Sequence, residues 1–396
     1  MVEERKPVIG VLGAGAMGSG IAQVAATHGH SVVLGDAHPA ACDAAADRIA
    51  RSLTREVEKR RLTRDAADTT LERLNLVHLP SAASCDVYAS CDLVIEAIVE
   101  RLDAKREAFQ ALERVVPRHC VLASNTSSLS IAAIGAACQH PERTLGIHFF
   151  NPAPVMPLVE IVPGIQTDNA PLTWSRDIID SWGKTTVLAL DTPGFIVNRV
   201  ARPYYGEALR ILDEGLASAS DIDWAMTALG GFRMGPFELM DFIGHDVNYV
   251  VTESVWTALH YDPRFKPSLT QRRLLDAGLL GKKSGRGFYN YGPGAERPKP
   301  REDAALGSAI LNRILAMLIN EAIDAVYLRV TTAADVETAM TKGVNYPKGL
   351  LAWGEEIGYS TVLAEIDRLH DEYHEDRYRA SPLLRRLVRE NRSLLR

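Results

Sequence analysis

At 396 residues, of which 46% are hydrophobic and 24% charged, the chain is long enough to bury sizeable cores, and its length predicts two or three domains. A formal net charge of −6 argues against a nucleic-acid or anionic-membrane binder, and the five cysteines, odd in number and without a CxxC pair, predict free thiols in a reducing compartment. The start, "MVEERKPVIG", is too charged for a signal peptide, and no uninterrupted apolar run reaches the roughly 18 residues of a membrane span. A cytoplasmic protein is expected, with neither nucleic acid nor membrane as partner.

In chain order, the first signal is "KPVIGVLGAGAMGSGIAQVAATHGHSVVLGD". It predicts a buried strand over 8–12, a glycine turn, a helix to about His28 and a second strand ending at Asp36. Gly13, Gly15 and Gly18 form GxGxxG in the strand-turn-helix setting that gives the pattern meaning. The first glycine allows the tight turn, the second lets backbone approach a pyrophosphate at the helix N-terminus, and the third allows helix to pack on strand. Asp36 at the strand tip suits the ribose hydroxyls of NAD and repels the 2'-phosphate of NADP.

A polar helical region over 39–74 follows, with a basic cluster that includes Arg48, Arg51, Arg55 and Lys59. "CDLVIEAIVE" (91–100) and "CVLASNTSSLSI" (120–131) read as buried strands running into polar loops, and "TLGIHFF" and "LVEIVPG" as two further strands separated by a segment with three prolines. In an open parallel sheet, ligands sit at the carboxyl ends of strands, so the glycine turn, Glu100, Ser127 and His148 are predicted to converge on one edge. Taken alone, His148 reads equally as a core histidine, and Ser127 as a helix N-cap.

After "DTPGFIVNRV" the pattern becomes long amphipathic helices, and "YGPGAERPKPRED" (291–303) reads as a linker. Beyond it the chain repeats itself. Residues 198–244 align without a gap on 312–358, with Asn198, Arg199, Glu207, Asp221, Gly235 and Gly244 among the residues that recur. The helical domain is therefore expected to be duplicated. The expected organisation is a doubly wound Rossmann-like α/β domain over 1–192, a first helical copy over 193–290, a linker over 291–305 and a second copy over 306–396. The arginines of the last stretch, Arg385 to Arg396, read as a solvated helix face.

Six motifs in register, GAGAMGSGIA, SNTSSLSI, GIHFFNPAPVMPLVEI, DTPGFIVNR, MGPFELMDFIG and GKKSGRGFYNY, make residues 1 to about 290 resemble the 3-hydroxyacyl-CoA dehydrogenases. The tandem helical part is similar to the bacterial branch acting on 3-hydroxybutyryl-CoA and 3-hydroxyadipyl-CoA. The resemblance implies NAD-dependent oxidation of a 3-hydroxyacyl-CoA, with His148 as general acid/base, Glu160 as its partner, and Ser127 and Asn198 holding the substrate. It implies a cofactor site of Gly13, Gly15, Ala16, Met17, Gly18, Asp36, Asn125, Glu100 and Lys105, the last two near the nicotinamide. It also places Arg51, Arg55 and Lys59 near the CoA phosphates. No metal is implied.

The chemistry agrees. Removing a hydride from C3 of the substrate leaves a hydroxyl proton to be taken, and imidazole titrates in the right range to take it or return it. A sugar-acid dehydrogenase of the gulonate or lens-crystallin type is the alternative on this fold, but such chains lack the second helical copy. In the family that the chain resembles, single helical domains pair across a dimer. The second copy is thus expected to act as an internal partner, leaving a further homodimer open.

Overall fold

The computed structural model describes residues 5–81 and 84–395; the first residues of the charged start and Arg396 lie outside. The chain divides into two units, one ending at Thr192 and the other beginning at Pro193.

The first unit is built on eight strands: β1 (Ile9–Leu12), β2 (Val32–Asp36), β3 (Leu74–His78), β4 (Leu93–Glu96), β5 (Val121–Ser124), β6 (Thr144–Phe149), β7 (Leu158–Pro163) and β8 (Thr185–Leu188). Their order is β3-β2-β1-β4-β5-β6-β7-β8. Every neighbouring pair is parallel except β6 and β7, which run antiparallel. The order reverses between β1 and β4, the switch point at which doubly wound sheets bind dinucleotides.

Helices α1 (Ala16–Thr27), α2 (Pro39–Glu58), α3 (Arg64–Glu72), α4 (Leu102–Val115), α5 (Ile131–Gly135) and α6 (Asn169–Ser181) accompany the sheet. Its central strands are apolar on both sides because both faces are covered. Ile9, Val11, Leu34 and Ile95 belong to the core that includes Ile21 and Ile49, while Leu12, Val33, Val94 and Leu122 pack with Phe109 and Leu112.

The polar region over 39–74 is not one helix. It breaks after α2, where Arg60 adopts a left-handed φ of 56° and the amide of Arg61 bonds back to the carbonyl of Glu56. Thr63 then caps α3, accepting from the amide of Ala66 at 3.2 Å. The strand that follows, β3, is a sheet edge with no fully buried residue, so the sequence shows no apolar alternation there.

The second unit is helical. The first copy contains α7 (Val197–Val200), α8 (Arg202–Asp213), α9 (Ala219–Trp224), α10 (Pro236–Ile243), α11 (His245–Ala258) and α12 (Leu269–Asp276). The second has α13 (Ala304–Tyr327), α14 (Ala333–Gly343), α15 (Leu350–Ile357), α16 (Tyr359–Tyr373) and α17 (Pro382–Glu390). Among the described residues, helix α13 alone is long and apolar enough, by length and composition, to cross a membrane; 72% of that stretch is buried inside the unit as its central helix.

Corresponding residues meet reciprocally. Arg199 donates to Glu321 at 2.8 Å, and Arg313, its counterpart, donates to Glu207, the counterpart of Glu321, at 2.9 Å. Arg264 donates to Glu321 at 3.2 Å, while Tyr378, which corresponds to Arg264, donates to Glu207 at 2.6 Å. The rings of Phe232 and its own counterpart Tyr346 lie 5.0 Å apart. Residue i thus touches j' while j touches i'.

The copies also cap alike. Asp223 accepts from the amides of Phe237 and Glu238 at the start of α10, and Glu337 from those of Leu351 and Ala352 at the start of α15. Gly235 and Gly349 are glycine for one reason: a Cβ would fall 2.3 Å from the Asp223 carboxyl and 2.0 Å from that of Glu337. The segment read as a linker is bound to this unit, with Arg301 held by Asp221 at 2.7 Å through its amide and Arg297 held by Glu238 at 2.8 Å. Helix α13 begins inside it, capped by Asp303.

Replacing Arg313 by Met should strand the Glu207 carboxylate, 1% exposed, and destabilise the chain by roughly 3–5 kcal/mol. Thermal unfolding of R313M against the double variant E207Q/R313M checks this, with partial recovery expected in the double.

Candidate active site

The glycine turn opens on β1. Gly13 has φ of 106°, and a Cβ there would lie 2.6 Å from the carbonyl oxygen of Ala97; a Cβ on Gly18 would lie 1.8 Å from that of Gly13. Gly15 differs. It precedes α1 as its N-cap, and a Cβ on it would meet nothing within 4 Å, so its backbone faces open space at a helix N-terminus, as a pyrophosphate requires. Ala16 and Met17 form the first positions of that helix.

At the end of β2, Asp36 accepts from the amides of Ala14 and His38 at 2.7 and 2.8 Å, which fixes its carboxylate beside the turn. A cavity of about 350 Å³ adjoins it, lined by Gly13, Gly15, Asp36, Ile98 and Val99. An apolar slot with one acidic end fits the adenosine half of NAD, and the residues present fit that cofactor.

Four more strands deliver the remaining groups. After β4, Glu100 accepts from the hydroxyls of Thr126 and Ser128 at 2.5 and 2.9 Å and from the amide of Ser127 at 3.3 Å. Burial pushes its carboxyl up, but the Lys105 ammonium at 3.3 Å and these hydroxyls outweigh burial and hold it below the usual carboxylate range. Lys105 itself is 1% exposed, clamped between Glu100 and Glu96. After β5, Asn125 accepts from the amide of Phe149 at 2.8 Å and so ties that loop to the end of β6.

Ser127 is half-buried and does not cap α5. Ser130 does so, accepting from the amide of Ala133, and Asp191 adds its carboxylate to the amides of Ile131 and Ala132. That leaves the Ser127 hydroxyl for another use.

His148 on β6 stands directly across from Glu160 on β7, in the antiparallel register that the turn between them imposes. Nδ1 of the imidazole and Oε2 of the carboxylate are 2.6 Å apart, with the side chains 7% and 0% exposed. A buried acid at this distance can fix the orientation of the imidazole and stabilise its protonated form.

Two domain models carry the match with known proteins. The NAD-binding domain of 3-hydroxyacyl-CoA dehydrogenases matches residues 8–192, and the C-terminal domain of the same family matches two segments, 194–291 and 310–394. The chain belongs to the 3-hydroxyacyl-CoA dehydrogenase family.

Within that family it is 38% identical to a 3-hydroxyadipyl-CoA dehydrogenase of Escherichia coli K12, over 95% of this chain and 96% of the relative. It is 42% identical to the mitochondrial hydroxyacyl-coenzyme A dehydrogenase of Rattus norvegicus, over 71% of this chain and 90% of the relative. The crystal structure of a 3-hydroxybutyryl-CoA dehydrogenase from Escherichia coli K12 superposes with a TM-score of 0.90 at 37% identity, covering 97% of this chain and 98% of that one.

The structure brings the glycine turn, Asp36, Glu100, Asn125, Ser127 and His148 to one edge of the sheet in this dehydrogenase. Arg51, Arg55 and Lys59 are exposed along and just after α2, with Arg51 at 3.8 Å from Asp47 and Lys59 at 3.9 Å from Glu56. Asn198 is half-buried on α7 of the second unit.

Two working residues do not stand out in the sequence. Arg48, one more cation in a basic run, donates to the carbonyl of Ala14 at 2.5 Å and to the hydroxyl of Ser19, and so bolts α2 to the glycine turn. Glu96 is a lone charge in an apolar strand, and its burial is visible only in three dimensions.

Replacing Asp36 by Ser should remove the carboxylate that excludes a 2'-phosphate. The ratio of kcat/KM for NAD over NADP should narrow by at least an order of magnitude, equivalent to about 1.4 kcal/mol. A wild-type enzyme that used both cofactors equally would contradict the reading of this position.

Proposed function

We propose that the chain oxidises a (3S)-3-hydroxyacyl-CoA to the 3-oxoacyl-CoA, reversibly, with His148 as the proton acceptor and donor. The observation that carries this is the 2.6 Å contact between His148 Nδ1 and Glu160. Glu160 fixes the tautomer and ring orientation and stabilises the imidazolium once the substrate hydroxyl proton has been taken. With Nδ1 so engaged, Nε2 is the nitrogen that exchanges the proton. When bound, NAD accepts the hydride from C3. The Ser127 hydroxyl and the Asn198 amide act as neutral hydrogen-bond donors to substrate oxygens, so neither competes for the proton.

For the CoA moiety the first unit offers a cavity of about 470 Å³ between α1, the end of α2 and the loop after β6, lined by Ser52, Arg61, Pro154 and Lys184 among others. Lys184 donates to the carbonyls of Ala153 and Met156 at 2.6 and 2.8 Å, and burial lowers its ammonium to about 8. Together with exposed Arg51, Arg55 and Lys59 this supports a path for a phosphate-bearing ligand along α2. The free thiols support a reducing, cytoplasmic setting.

The second helical copy stands in for a partner subunit. It has no dinucleotide fold of its own, and the reciprocal pairs Arg199–Glu321 and Arg313–Glu207 support a pseudo-two-fold core inside one chain. One chain therefore carries one NAD site.

Substituting His148 by Gln should leave NADH binding, measured by fluorescence titration, near wild type while kcat falls by roughly 10²-fold or more. Retained turnover would rule His148 out as the base. Truncation after Asn290 should uncover apolar surface and leave Arg199 and Glu207 without their buried partners, giving aggregation or forced dimerisation on size-exclusion chromatography. A soluble, monomeric, fully active truncation would contradict the internal-partner reading.

A further inference from the structure

Glu96 ends β4 and is fully buried. One of its carboxylate oxygens accepts from the Lys105 ammonium at 2.6 Å and from the amide of Ile98 at 2.7 Å, and the other accepts from the hydroxyl of Ser124, the last residue of β5, at 2.7 Å. Lys105 reaches on to Glu100 at 3.3 Å. Two carboxylates thus share one ammonium, and the cluster carries a net charge of minus one. A strand end could be tied down without charge. Burying an ion pair is costly, so Glu96 and Lys105 call for a reason, and the excess negative charge of the cluster falls on Glu100, whose side chain is 41% exposed.

The position supplies one. The strand order reverses between β1 and β4; Asp36 lies on the β1–β2 side, and the adenosine-sized cavity runs from it to the segment after β4 and to α4. A dinucleotide laid across that switch point puts its other half on the β4–β5 side, where Glu96, Lys105 and Glu100 are. The oxidised nicotinamide ring carries a positive charge and the reduced ring does not.

We infer that Glu96 is a positioning residue that, through Lys105 and Glu100, holds the nicotinamide side of the site at a net charge of minus one and so biases binding toward the oxidised cofactor. With Glu96 ionised, Lys105 is shared and Glu100 keeps charge to present; without it, Lys105 would neutralise Glu100 completely. The inference rests on the NAD reading of the site.

The test is a charge series read by direct binding: isothermal titration of NAD⁺ and fluorescence titration of NADH, each without substrate. The quantity followed is Kd(NAD⁺)/Kd(NADH). E96Q sets the cluster to zero and should raise the ratio on the order of tenfold, the scale of one partly screened unit charge at nicotinamide distance. K105Q sets it to minus two and should lower the ratio. The double variant E96Q/K105Q restores minus one while losing the same contacts, and should return the ratio to near wild type.

That return separates charge from mere support of the fold, and it decides the matter with K105Q if E96Q alone does not fold. A ratio that is the same in every variant, or a double variant that shifts with E96Q, would overturn the inference. Failure of the wild-type chain to bind NADH at all would instead overturn the cofactor reading beneath it.

Discussion

A charge taken out of water must be matched by an opposite charge or by several donors, and in both units that constraint decides which side chains face one another. In the first unit it pairs His148 with Glu160 and places Lys105 between Glu96 and Glu100. In the second it pairs Arg199 with Glu321 and Arg313 with Glu207. Such pairs add little stability over well-packed apolar residues, but breaking one is expensive, so they act as registration marks.

The site follows from how few ways the chain has of meeting that demand on a parallel sheet. Six strands deliver their carboxyl ends to one edge, and backbone groups left over there need partners. Asp36 supplies them at the glycine turn, Asn125 at the end of β6 and Asp191 at α5. Only where the chain turns back antiparallel can two side chains close in sequence stand opposite each other on adjacent strands. This places Glu160 across from His148 and fixes the orientation of the imidazole.

Those features were legible where the physics is local. The βαβ unit announces itself because a glycine turn has requirements that no other residue meets, and Gly13 and Gly18 meet them here through a positive φ and a carbonyl 1.8 Å from an added Cβ. The His148–Glu160 pair is implied by the family resemblance, and the prolines between two apolar runs supply the turn-back that lets the two side chains meet. The duplication is legible from residues recurring at a fixed offset.

What escaped depends on distant partners. The break at Arg60 rests on a left-handed residue that is not glycine, and β3 shows no alternation because it is an edge. Ser130 rather than Ser127 caps α5 because Asp191, 61 residues from Ser130, comes to the same helix end. Proline and charge predict a linker over 291–305, but they do not show that Asp221 and Glu238 hold its arginines.

The same constraint explains what the duplicated copy retains and what it lets change. Each residue of the pairs Arg199–Glu321 and Arg313–Glu207 has its twin in the other copy, since loss of one would strand a buried charge. The acid that caps α10 or α15 and the glycine beneath it are also paired, Asp223 with Gly235 and Glu337 with Gly349.

Away from these positions the copies diverge. Asp241 binds the amides of Phe288 and Tyr289 and the ring of His245, whereas its counterpart Glu355 binds the amides of Leu394 and Leu395 in the tail. Phe242, 62% exposed in the first copy, corresponds to Glu356 in the second. Asn198 is half-buried, while Asn312 is exposed near the start of α13. The contact between copies constrains both equally where Arg199, Glu207, Arg313 and Glu321 pair across it. Outside that contact the two copies meet different neighbours, and their residues differ accordingly.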